Sequence, residues 1–127
     1  MYEVAEQRKE KRLRYHWPVW FAENFSEELS QGQMFDITSQ GAAFTCYADK
    51  CPYPGQNITT RFSVPRYSLD ESFDIESYIR TGTISHVEEI SPHIRRVAFQ
   101  FAEVLPFKPA EQDMPTFAGE LSIVSGD

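Results

Sequence analysis

The sequence predicts an all-β domain of six strands, on three observations. Val, Ile, Thr and aromatic residues alternate with polar ones, as they do along a strand with one buried face. Proline- and glycine-bearing turns break these runs at short intervals, and no long helical period is present. At 127 residues, 41% hydrophobic and 14% aromatic, the chain is long enough to bury one genuine core. Strands of this kind build a sandwich or a barrel, and closure into a barrel would remove exposed edges.

Taken in order, Trp17-Pro18-Val19-Trp20-Phe21 opens the first strand, with Trp17, Val19 and Phe21 on one face and Trp20 on the other. Glu23 to Gly32 reads as a connection. Gln33 to Thr38 then forms a second strand, in which alternation sets Phe35 and Ile37 on one face and Asp36 and Thr38 outward on the other. Ser39-Gln40-Gly41 turns the chain into a third strand, Ala42 to Tyr47, making a hairpin. In that turn Gly41 can supply a positive φ and lets a ligand approach the backbone closely.

Lys50 to Gly55 is a proline-rich loop, followed by a fourth strand through Ile58, Thr60, Phe62 and Val64 that Pro65 ends. A long fifth strand starts near Phe73. Ile84 and Val87 fall on opposite parities within it, so it carries a bulge, expected near Gly82. After Ser91-Pro92 a sixth strand points Val97, Phe99 and Phe101 inward, with Arg95 and Gln100 in outward or edge positions. Pro106, Pro109 and Pro115 forbid a long helix thereafter, although Pro109 suits the first position of a short one. The division is thus an arm over residues 1–16, a strand-rich body over 17–105 and a tail over 106–127.

The net charge of −7 conceals an asymmetry. Residues 1–14 hold five basic side chains (Arg8, Lys9, Lys11, Arg12, Arg14) against three glutamates, a net +2 that leaves −9 on the rest. An acidic body disfavours DNA or RNA, whose binding rests on neutralising many phosphates, whereas a basic arm on such a body suits a small anion. No apolar run reaches the length of a membrane span, and the charged start lacks the apolar stretch of a signal peptide, so the expectation is a cytoplasmic protein without membrane insertion. Cys46 and Cys51 are then reduced thiols, and the sequons at Asn24 and Asn57 are accidental.

Catalysis finds little support, since His16, His86 and His93 accompany no recognisable nucleophile motif, and no cofactor is implied. A zinc site from Cys46, Cys51, His86 and His93 matches no common ligand spacing, and Cys46 reads as a buried structural thiol. Among the aromatics, Trp20 and Tyr47 are the candidates for stacking on a base.

What remains is the arm and the polar turn. Asp36-Ile37-Thr38-Ser39-Gln40-Gly41 resembles the Asp/Asn-x-Ser-x-x-Gly motif of PilZ domains, which follows an Arg-x-x-x-Arg motif ahead of the first strand. The resemblance covers residues 8–105 and extends to Ala98-Phe99-Gln100-Phe101 at the last barrel strand. It implies a six-stranded antiparallel β-barrel with a flexible basic arm and a short C-terminal helix or tail. It also implies a receptor for the bacterial second messenger cyclic di-GMP that passes its signal to a downstream protein. Thr38 stands where serine is usual and keeps the hydroxyl. The arginine motif has two registers: Arg12 with His16, directly before the strand, or Arg8 with Arg12, with Arg14 compensating in either.

The ligand-binding residues expected from the resemblance are therefore Arg8, Arg12, Arg14, His16, Asp36, Thr38 and Gly41. Arginine offers phosphate or guanine a planar fork, and histidine near neutrality at most one directional donor. Some members of the family have lost the nucleotide and act through protein contacts. The alternative reading is accordingly an adaptor that uses the barrel surface around Trp20.

Overall fold

The computed structural model describes residues 10–26, 28–67, 73–112 and 122–124. Among these described residues there are eight strands: β1 (Arg12–Arg14), β2 (Pro18–Ala22), β3 (Ser30–Ile37), β4 (Gly41–Tyr47), β5 (Asn57–Tyr67), β6 (Phe73–Glu89), β7 (Ile94–Phe101) and β8 (Ser122–Val124). Six of them, in the order β2-β5-β6-β7-β4-β3, close on themselves because β3 pairs back onto β2. The expected six-stranded antiparallel barrel is therefore formed. Short strands β1 and β8 continue the sheet outside the ring, β1 lying on β3 and β8 on β1. No helix among the described residues is long and apolar enough to cross a membrane.

Alternation fills the interior. Val19, Phe21, Phe44, Phe62, Val64, Val97 and Phe99 are buried, and Phe62 stacks on Phe101 with ring centroids 5.6 Å apart. Burying aromatics of this size is a large part of the drive for a barrel that has no helix packed over it among the described residues. Leu13 and Tyr15 also reach the core, so the folded body begins before Trp17 and the last part of the basic arm is anchored. At the other end, Leu105 and Ala110 are buried and Pro109–Glu111 forms one 3-10 turn, where a short proline-initiated helix was expected.

Several local expectations are corrected. Strand β3 starts at Ser30 rather than Gln33, because β2 needs partners there: Phe21 faces Ser30 and Pro18 faces Gln33. A bulge between Met34 and Asp36 inserts Phe35 as an extra residue. Met34 and Ile37 therefore point inward, while Phe35 leaves the face it was expected to share with Ile37. The bulge expected near Gly82 lies between Ile84 and His86, at Ser85, within the interval where the parities of Ile84 and Val87 require it. In the half of β6 before it, Gly82 and Ile84 are buried and Tyr78 packs against the core, while Ile75 and Ile79 are exposed.

Pro65 does not end its strand, which runs on to Tyr67 paired with β6. The Gln112 amide explains this, donating to Pro65 O at 2.9 Å and accepting from Tyr67 N–H at 3.1 Å. The N–H and C=O of one strand residue point the same way, so the donor that Pro65 lacks belongs to the edge that Gln112 covers, not to the β6 ladder.

Candidate ligand-binding cleft

Outside the barrel, β1, β3, β4, β6 and β7 enclose an open cleft of ≈ 550 Å³. Its floor is smooth because small residues face each other across two strands, Ala43 on β4 opposite Ala98 on β7. One wall is made by Arg12, Arg14 and Asp36. The other is made by His86, Glu88 and Arg96.

The three-residue strand β1 sets the first wall. Leu13 pairs with Ile37 and Arg14 with Asp36, so Leu13 and Tyr15 turn into the core while Arg12 and Arg14 turn to the cleft. The Arg12 Nη1 lies 3.9 Å from Asp36 Oδ2. Asp36 was expected to face outward into water, but the arm covers it and leaves it only 7% exposed. Burial raises its pKa, and the nearby Arg12, Arg14 and Arg96 act in the opposite direction. The Nε atoms of Arg12 and Arg14 are buried with no hydrogen-bond partner among the described residues. Beneath them the Tyr15 hydroxyl is likewise unpartnered, and burial together with Asp36 pushes that phenol far above its usual range.

Phe35, swung out by the bulge, is the platform between the walls. The Arg14 guanidinium carbon lies 5.1 Å from its ring centroid and that of Arg96 lies 4.5 Å away, both within cation–π range. Arg96 is also held by Glu88, its Nε and Nη2 donating to one Glu88 oxygen at 3.2 and 2.8 Å.

The turn at the end of the cleft is built from Thr38. Its Oγ1 accepts from the N–H groups of Gln40 at 3.1 Å and Gly41 at 3.3 Å, so this hydroxyl holds the backbone. Gly41 is needed for a reason other than turn conformation: a Cβ there would meet Phe99 O of β7 at 2.5 Å. The positive φ sits instead at Gly55, in the loop before β5. Ser39 is tied to the arm, its N–H donating to one Glu10 oxygen at 2.7 Å and its Oγ to the other at 2.8 Å. Lys11 N–H in turn donates to Glu111 at 3.1 Å.

Five of the seven expected site residues, Arg12, Arg14, Asp36, Thr38 and Gly41, thus line one cleft. His16 does not join them. Strand β1 ends at Arg14 and the chain turns toward β2, leaving His16 exposed with its carbonyl accepting from Gln33 Nε2 at 3.2 Å. Arg8 lies outside the described residues. Trp20 and Tyr47 are not part of the cleft either, and Arg61 lies over the Trp20 ring at 5.1 Å.

Phe35, Glu10, Glu88 and Arg96 were not foreseen. Parity with inward Val97 and Phe99 could have placed Arg96 outward, whereas Phe35 needed knowledge of the bulge. No cluster of three or more His, Cys, Asp or Glu side chains suited to a metal ion occurs among the described residues. Cys46 is buried, and burial pushes its thiol up to about 12. Comparison of the chain with models of known protein families, with curated proteins and with solved structures finds no match to any of the three.

Proposed function

We propose that the protein is a PilZ-type receptor that binds cyclic di-GMP in this cleft and relays the signal to a partner protein without catalysis. The observation that carries the reading is the convergence of Arg12 and Arg14 with Asp36 beside the Thr38–Gly41 turn, the residues of the two motif-like segments. Their chemistry suits such a ligand. Guanidinium groups grip phosphodiesters and stack on purines, a buried carboxylate accepts from a guanine edge, and a floor of alanine methyls admits a flat ring.

Calorimetric titration with cyclic di-GMP tests the reading. Saturable binding in the micromolar range or tighter is expected, and no binding up to about 100 μM would overturn it. The alternative, an adaptor that works without nucleotide, draws support from Ile75 and Ile79, which are 50% and 55% exposed on the outer face of β6. It draws none from Trp20, which Arg61 covers. On that reading the titration is silent, and a protein partner is lost when Ile75 and Ile79 are replaced by Ser.

A further inference from the structure

We propose that Arg96 is a third ligand-gripping arginine of the cleft and that Glu88 is its resident counter-ion, displaced when the anionic ligand enters. This rests on the cleft being the nucleotide site, and it assigns roles to two residues that neither motif-like segment contains.

Three observations carry it. First, Arg96 stands on β7, across the Ala43–Ala98 floor from β1, so it supplies the second wall with the charge that Arg12 and Arg14 supply to the first. A ligand with two phosphates joined to flat bases needs cations on both sides, and without Arg96 the second wall would hold Glu88 and His86 alone among its ionisable groups. Second, Phe35 orients Arg96, whose guanidinium carbon is 4.5 Å from the ring centroid, and the same ring lies beside Arg14. The β3 bulge thus orders a guanidinium from each wall about a single aromatic ring, a preorganised arrangement.

Third, the present partner of Arg96 is easily exchanged. Both contacts go to the same Glu88 oxygen, so this is not the two-oxygen fork that arginine forms with a carboxylate at its strongest. The side chains are 31% and 48% exposed, and ion pairs so open to water have little net worth. Glu88 meanwhile keeps a negative charge at the cleft wall, repelling an incoming phosphate. The pair therefore holds Arg96 in place at the cost of affinity, and an anion that offers two oxygens competes for it.

The test is titration of the wild-type protein, Glu88→Gln, Arg96→Met and Arg96→Lys with cyclic di-GMP, with thermal melts to verify folding. Glu88→Gln is expected to tighten binding about three- to ten-fold by removing the competitor. Arg96→Met, which keeps the stem over Phe35, is expected to weaken it at least about ten-fold, and Arg96→Lys to fall between because it keeps charge but not the fork. If the wild type binds and all three folded variants match it, the role of Arg96 and Glu88 is overturned while the nucleotide reading stands. If neither the wild type nor Glu88→Gln binds, both fall. Binding by Glu88→Gln alone would support the counter-ion role and overturn the reading of the native chain as a receptor.

Discussion

Glu10 and Ser39 are joined by two hydrogen bonds, one to each carboxylate oxygen, at 2.7 and 2.8 Å. The contact links the basic segment to the polar turn directly, so the two halves of the cleft are assembled in the absence of ligand. Glu10→Ala leaves the Ser39 N–H and hydroxyl without their acceptor in a nearly buried turn, at a cost of about 1–3 kcal/mol. Urea denaturation should show that loss, and amide exchange at Leu13, which pairs with Ile37, should accelerate. Ser39→Ala should cost less, since the backbone bond survives.

His16→Arg should leave affinity for cyclic di-GMP unchanged within about two-fold, because His16 is outside the cleft, whereas Arg12→Ala should weaken it at least ten-fold, for the loss of a charge-assisted contact worth about 1.5–3 kcal/mol. Arg12 is common to both registers of the arginine motif, so it is the His16→Arg titration that separates them. Tighter binding by His16→Arg would assign the second cation position to residue 16.

Thr38→Val removes the acceptor of two backbone N–H groups and should destabilise the fold by about 1–2 kcal/mol, while Thr38→Ser should restore most of it. Denaturation midpoints check this. Equal stability of the Val variant would mean that the hydroxyl is not what holds the turn.

Asp36 makes stability depend on pH in a definite direction. Its folded-state pKa is raised, chiefly by burial, so the folded protein holds the Asp36 proton more tightly than the unfolded chain does. The contribution is fully present below the unfolded value of 3.8 and is lost as pH rises through the higher folded value. Asp36→Asn mimics the protonated form. It should therefore be at least as stable as wild type at pH 7, with the difference shrinking as both are titrated toward pH 4, as followed by chemical denaturation. The same variant should bind cyclic di-GMP more weakly, which separates the stability role from the ligand role.

Gly41 and Gly82 press on β7 from both flanks. A Cβ at position 41 would lie 2.5 Å from Phe99 O, and one at position 82 would lie 2.0 Å from Gln100 O. Both obstacles are backbone and cannot swing aside. Gly41→Ala and Gly82→Ala should each lower stability by about 1–3 kcal/mol, measured by thermal or urea unfolding.

The barrel was legible because a period of two is written plainly into Val19–Phe21, Ile58–Val64 and Val97–Phe101, where no residue interrupts the count. Legibility failed where backbone geometry breaks that count. The Met34–Asp36 bulge reverses the expected face of Phe35, whereas the Ser85 bulge announces itself through the opposite parities of Ile84 and Val87 and lies only a few residues past the Gly82 near which it was expected. In the site, Arg12, Arg14, Asp36, Thr38 and Gly41 were readable from local motifs, although the work done by Thr38 and Gly41 is that of holding backbone. Parity alone sets Arg96 outward, but its contact with the Phe35 ring and the bonds between Glu10 and Ser39 join residues far apart in the chain, and no local pattern encodes those.

The Gln112 side chain has a consequence beyond accommodating a proline. Its primary amide copies a peptide unit, presenting one donor and one acceptor to Pro65 and Tyr67 at the spacing of a neighbouring strand. Beyond Phe62, where β2 stops covering β5, Gln112 takes the place of a neighbouring strand among the described residues. It occupies hydrogen-bonding groups that would otherwise template edge-to-edge association with a second molecule. Discouraging such self-association needs no charged gatekeeper at this point, only a glutamine delivered by the turn at Pro109–Glu111.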